Sequence, residues 1–113
     1  MIARTWRCRV ARSDASAAAE YIRQTGLAEC REVDGYCGGQ LLRRDVGAEL
    51  CEFVLVTCWE SLEAVARFAG SDVSQAVLYP GDEQHFIQAD RTVTHREIVY
   101  SERPGSGGMN DSR

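Results

Sequence analysis

Of the two histidines in this chain of 113 residues, His95 is the one placed to act as a base. An imidazole with an ordinary pKa of about 6.5 accepts a proton at neutral pH. It lies in the alternating stretch Thr92 to Tyr100, near the end of the chain. Arg4 and Trp6 lie two residues apart in the alternating stretch at the start. A guanidinium can hold a phenolate or another anion. An indole can stack on a flat ring. Tyr79, next to Pro80 in a turn sequence, is expected to line the mouth of a site formed by the other three. Each of these residues also has a plainer reading. His95 can be a strand residue bonded to Glu97 or to backbone. Trp6 and Trp59 can be core. Arg4 can pair with Glu97 or Glu52 across a sheet. His85 stands in a polar stretch and is expected to face solvent. Asp82 and Glu83 are neighbours in a turn and read as solvated surface.

The five cysteines, Cys8, Cys30, Cys37, Cys51 and Cys58, are odd in number and contain no CxxC. That argues against a disulfide framework and for a reducing, cytoplasmic setting. The spacings are too wide for a zinc knuckle, so no metal is expected. They read as small core hydrophobes, with one exposed reactive thiol as the alternative, and with Cys51 and Cys58 on opposite faces of one strand. A GxSxG elbow, a phosphate loop and a dinucleotide fingerprint are all missing.

The elements that must position these residues follow from periodicity. Ile2 to Val10 alternates as a strand, with Ile2, Arg4, Trp6, Cys8 and Val10 on one face. Ser13 or Asp14 can cap a helix over Ala15 to Thr25, whose buried stripe is Ala18, Tyr21, Ile22 and Thr25. Gly26 is expected to end it in the left-handed conformation. Tyr36 to Arg44 and Glu49 to Cys58 read as a hairpin turning at Asp45-Val46-Gly47. The run Phe53-Val54-Leu55-Val56 marks a central strand. Ser61 can cap a helix from Leu62 to Ala69, with Leu62, Val65, Ala66 and Ala69 inward and Gly70 at its end. Asp72 is expected to cap a short helix, Val73 to Leu78, before a turn at Tyr79-Pro80-Gly81-Asp82 and a final strand, Thr92 to Tyr100. The order strand, helix, strand, strand, helix, strand is the split βαβ arrangement of ferredoxin-like folds. One sheet face is covered by helices, and the other asks for a partner. A second copy packed about a twofold axis is the simplest one.

A net charge of −4 with scattered arginines gives no basic stripe, so nucleic acid is not an expected partner. No apolar run approaches the roughly 20 residues that span a bilayer, and the start of the chain alternates where a signal peptide would be continuously apolar. No membrane association is expected. Residues 1–100 are expected to form one domain and residues 101–113 a disordered tail.

A wider set of residues resembles a known family. The set runs from Met1-Ile2-Ala3-Arg4-x-Trp6 through Tyr21-Ile22-x-x-Thr25-Gly26 and Leu41-Leu42-Arg43-Arg44. It continues with Trp59-Glu60-Ser61-Leu62-Glu63-Ala64, Phe68-Ala69-Gly70-x-Asp72, Tyr79-Pro80 and Val93-Thr94-His95-x-Glu97. Together these resemble the antibiotic-biosynthesis-monooxygenase-like group of the dimeric α+β barrel superfamily. The resemblance implies an α+β, ferredoxin-like βαββαβ chain with a four-stranded antiparallel sheet, pairing as a homodimer in an α/β barrel. Members of known activity oxygenate aromatic polyketides without metal or flavin, or bind and degrade haem, and many look-alikes have no known reaction. Haem-degrading members carry an asparagine in the first strand and a histidine ligand after the second helix; here the first strand has no asparagine, Ser74 to Leu78 offers no histidine, and His85 comes too late unless its loop folds back. The expected function is therefore cofactor-independent monooxygenation of a small aromatic or quinol-like ligand. His95 would be the base, and Arg4, Trp6 and Tyr79 would bind the substrate. The alternative is a non-catalytic dimeric module that binds a small ligand or a partner.

Overall fold

The computed structural model describes residues 1–104. Residues 105–113 of the expected tail lie outside the described residues, and residues 101–104 are exposed and without regular structure.

β1 (Ile2–Ala11) and β3 (Leu50–Trp59) form the centre of an antiparallel sheet, paired over their full length. The register sets Arg4 opposite Thr57, Trp6 opposite Leu55 and Cys8 opposite Phe53. β2 (Tyr36–Asp45) flanks β3, which is the central strand expected from its apolar run. The other side of β1 carries two short strands, one within Glu83 to Arg91, expected to be irregular or a short extended piece, and one that is shorter than the strand expected over Thr92 to Tyr100. β4 (Phe86–Ala89) pairs with Cys8 to Val10, and β5 (Thr94–Glu97) pairs with Ile2 to Thr5. Between them the chain leaves the sheet at Asp90. There the Asp90 carbonyl accepts from the Trp6 indole at 2.8 Å, and its amide donates to Arg7 at 2.9 Å. The sheet thus has five strands in four positions, in the order β2-β3-β1 and then β4 and β5 along one edge. This is the ferredoxin-like order.

The even residues of β1 and the odd residues of β3 face the helices, as a period of two requires. Two cores form on that face. α1 (Ala15–Gln24) lays Ala15, Ala18 and Ile22 on Cys8, Val10, Cys51 and Phe53. α3 (Leu62–Ala69) lays Ala64 and Val65 on Trp59 and Cys30 at the other end of the sheet. The Ser61 hydroxyl caps α3 by accepting from the Ala64 amide at 3.1 Å. Gly35 takes a positive φ of 95° where the chain passes α3. A Cβ there would come within 2.5 Å of Ala64 Cβ, so only glycine fits.

Four local expectations change. Gly26 does not end α1 in the left-handed conformation. Thr25 breaks the helix, its hydroxyl bonded back to the Tyr21 carbonyl at 2.8 Å, and Gly26 starts a short α2 (Gly26–Cys30). Leu62 is exposed, because the inward stripe of α3 is shifted to Ala64 and Val65. Asp14 makes no side-chain cap on α1 and turns its carboxylate to His85 Nδ1 at 2.8 Å. His85 is consequently half-buried against Tyr21, where solvent exposure was expected.

The fourth change concerns Val73 to Leu78, which form no helix. Asp72 instead closes a local turn by accepting from the amide and hydroxyl of Ser74. The carbonyls a helix would use internally are taken elsewhere. Those of Val73 and Gln75 accept from Arg4, and that of Ser74 accepts from the Val93 amide. A segment whose carbonyls are already bonded in this way gains nothing by coiling.

Candidate functional site

The two cores leave a gap between them. Over the middle of β1 and β3, neither α1 nor α3 covers the sheet. The floor of the resulting pocket is Arg4, Trp6, Leu55 and Thr57. Ile22 from α1 and Thr25 just past its end, Gly26 and Cys30 from α2, and Phe68 from α3 form two walls. The segment from Ala76 to Asp82, with Phe86 and Val93, closes the third. The cavity proper is small, about 50 Å³, and the free space reaches about 540 Å³ only when the open mouth and adjoining solvent are included. Its lining is mainly apolar and aromatic.

Three of the four expected site residues line this pocket. Trp6 meets Phe86 edge-on, with ring centroids 5.4 Å apart, and its indole N–H is already bonded to Asp90, so its carbon face is what it offers. Tyr79 stands at the mouth and donates to Glu29 at 2.8 Å. Burial and that carboxylate push its phenol far above its ordinary value, so it stays protonated. Arg4 is 5% exposed. It donates to the Val73 carbonyl at 2.7 Å and the Gln75 carbonyl at 3.0 Å, and its Nη1 also meets His95 Nε2 at 3.0 Å. Its guanidinium lies 5.8 Å over the Phe68 ring.

His95 is not on the pocket wall. It sits beside Arg4 on the neighbouring strand, as the register of β1 and β5 dictates. An arginine can only donate, so His95 Nε2 is the acceptor and the ring proton is on Nδ1. Burial, and then the Arg4 charge, hold its pKa below the ordinary value of 6.5. His95 is therefore neutral at pH 7, with its basic lone pair committed to Arg4.

Asp82 was read as solvated surface, yet it lines the pocket. Its Oδ1 accepts from the Tyr21 hydroxyl at 2.6 Å and its Oδ2 from the Tyr79 amide at 2.9 Å. Burial, then Asp82, raises the Tyr21 phenol to about 12. The only sequence signal for this position was the proline turn Tyr79-Pro80-Gly81-Asp82, which carries no sign of which way the carboxylate points. Cys30 was likewise given only a core role, and its thiol is raised to about 12 by burial, so it is neutral in the pocket wall.

With this geometry established, comparison with solved structures is informative. The chain matches a candidate antibiotic biosynthesis monooxygenase from Bacillus cereus with a TM-score of 0.65 at 18% identity, over 91% of this chain and 97% of the other. This chain has the antibiotic-biosynthesis-monooxygenase-like fold. The same fold is found in MhuD, a haem-degrader from Mycobacterium tuberculosis solved with two haems in its active site (TM-score 0.56, 21% identity, covering 91% and 100%). SnoaB, a cofactor-independent oxygenase from Streptomyces nogalater, also matches (TM-score 0.55, 13% identity, covering 88% and 95%). No family model matches the chain, and neither does any curated protein. Among the described residues, no helix is long and apolar enough to cross a membrane.

Haem does not fit the donor set of this pocket. No histidine lines it, and both histidines are engaged outside it, His95 with Arg4 and His85 with Asp14. The Cys30 thiol and the Tyr79 phenol are both held protonated, which is the wrong state for an iron ligand.

Proposed function

We propose that this chain is a cofactor-independent oxygenase of a small, flat, electron-rich aromatic compound. The observation that carries this reading is an apolar, aromatic-walled pocket with one buried cation, Arg4, on its floor. Such a pocket can hold a ring against Trp6 and Phe86 and stabilise negative charge that develops on an attached oxygen. An anthrone-type substrate illustrates the balance. Ionisation of the aryl-activated methylene gives an anion that reacts with dioxygen. One oxygen atom becomes the new ring carbonyl. The other leaves as water with the two methylene hydrogens. Arg4 supplies charge stabilisation in this scheme, and Trp6 and Tyr79 shape the cavity. His95, expected as the base, enters by holding Arg4 in place through Nε2.

We propose that two copies pair through the uncovered sheet face. On that face Val54 and Val56 are half-buried and Leu42 is exposed, with no helix over them.

Oxygen uptake by the purified protein with a panel of anthrones and hydroquinones tests the reading. Uptake is expected with at least one member, with one dioxygen consumed per quinone formed. His95→Ala is expected to slow it at least about tenfold, and His95→Gln, which keeps an acceptor for Arg4, to recover part of the rate. Equal loss in both variants would make His95 the base instead. No uptake across the panel would favour the second reading, a non-catalytic ligand-binding module. That reading is favoured by one observation: the imidazole lone pair is already used by Arg4.

A further inference from the structure

We infer that the ligand of this pocket binds as an aryl oxyanion, a carboxylate or an ionised phenol attached to the ring, and that Arg4 receives it. The inference rests on the small-molecule reading above and narrows its ligand class.

The chain has 17 acidic residues, and among the described residues none forms an ion pair with Arg4. Every partner of this guanidinium is neutral: two backbone carbonyls and the lone pair of His95. The uncovered face of the same sheet shows the usual arrangement. There Glu52 takes Arg44 at 2.9 Å and Arg9 at 3.8 Å, so two arginines share one carboxylate. Arg4 is more buried than either and has no carboxylate.

The groups around Arg4 cannot supply the missing charge. Cys30 is a neutral thiol and Tyr79 a neutral phenol. Asp82, the carboxylate on the wall, accepts from the Tyr21 hydroxyl and the Tyr79 amide and forms no ion pair with Arg4 among the described residues. An arginine does not escape burial by losing its proton. A full positive charge therefore faces a mainly apolar cavity whose carboxylate, Asp82, makes no ion pair with it, a state that burial penalises unless an anion joins it.

The remaining donors suit such an anion. Of the five guanidinium N–H groups, two on Nη1 and one on Nη2 are used. The Nε hydrogen and the second Nη2 hydrogen have no partner among the described residues. Two donors match the oxygens of a carboxylate, or one phenolate oxygen shared between them. The Phe68 ring lies 5.8 Å from the guanidinium, and Trp6 and Phe86 line the same pocket with aromatic surface for a ligand's ring. Where the ligand is an ionised phenol, its reactive proton is lost before it binds, so no basic lone pair on His95 is required; a carboxylate would be held by Arg4 without activating the ring.

The test uses two probe pairs on the full chain at constant ionic strength. In the first, 2-naphthoate is compared with its neutral amide, 2-naphthamide, by fluorescence or calorimetric titration. In the second, the ionisation of 4-nitrophenol is followed by the colour of its anion, free and bound. An anion preference of at least about tenfold is expected in one arm or both, the size that charge-assisted hydrogen bonds give. The arm that responds tells carboxylate from phenolate. Arg4→Gln should abolish the preference while the neutral probe still binds, and Arg4→Lys should keep part of it. If neutral and anionic probes bind alike, the anion inference falls and the pocket reading stands. If no probe binds, both fall. A preference that survives Arg4→Gln overturns Arg4 as the receiver. Should Arg4→Gln fail to fold, the wild-type comparison still decides the charge preference, and Arg4→Lys decides the residue.

Discussion

On β1, Arg4, Cys8 and Val10 point to the helices and are at most 5% exposed. Arg7 and Arg9, on the same strand, point the other way and stay partly or fully open to solvent. The neighbouring strand β3 divides in the same way. Cys51, Phe53, Thr57 and Trp59 are buried under helices, while Val54, Val56 and Cys58 are half-buried with nothing over them. The helix-covered face is two tight cores with a gap, and the gap is the pocket. The opposite face has an apolar middle and a charged end, where Arg9 and Arg44 flank Glu52. One Glu52 oxygen there is buried without a hydrogen bond. The difference teaches that the same pleated strands can spend one side on holding a ligand and leave the other for association.

The largest expected effect is on the covered face. Trp59 is fully buried between Tyr36 and Phe68, and its indole N–H donates to Thr57 at 2.9 Å. Trp59→Ala should cost about 3–5 kcal/mol in urea unfolding. A loss below about 1 kcal/mol would mean that this core is not the tight one described.

Next in size is the uncovered face. Val56 lies at its apolar middle, opposite Thr5 on one side and Gln40 on the other. If two copies pair there, Val56→Asp should convert a dimer to a monomer or to aggregate in light scattering, because a buried unpaired charge is not tolerated. A wild-type mass near 12.5 kDa at micromolar concentration would remove the pairing altogether.

The smallest effect is the pH dependence set by His95. Its pKa is lowered in the folded chain, by burial and then by the Arg4 charge, from an ordinary 6.5. On acidification through that value the unfolded chain takes up a proton before the folded one does. Stability therefore falls as pH drops below about 6.5 and recovers as pH rises through it. Melting temperatures between pH 5 and 7.5 should show this slope in the wild type and a shallower one in His95→Gln. An equal slope in both would detach His95 from the acid response.

Much of this was legible in the chain. Alternation in Ile2 to Val10 placed Arg4 and Trp6 on one face, and the split βαβ order put the strand carrying His95 beside them. Ser61 and Gly70 bounded α3 correctly. These features are local, because a period of two or 3.6 and a capping hydroxyl act within one element. Other features depended on residues far apart in the chain. Arg4 meets Val73, Gln75 and His95 across 69, 71 and 91 positions, and no periodicity encodes such partners. Those long-range bonds unmade the helix expected at Val73 to Leu78 and tied up the lone pair of His95, and another, from the Tyr21 hydroxyl, holds Asp82 at the cavity wall. Sequence by itself determined which side of the sheet each reactive residue stands on. Only the tertiary structure decided which of them reach the pocket, because that depends on which donor finds which carbonyl once the chain has closed.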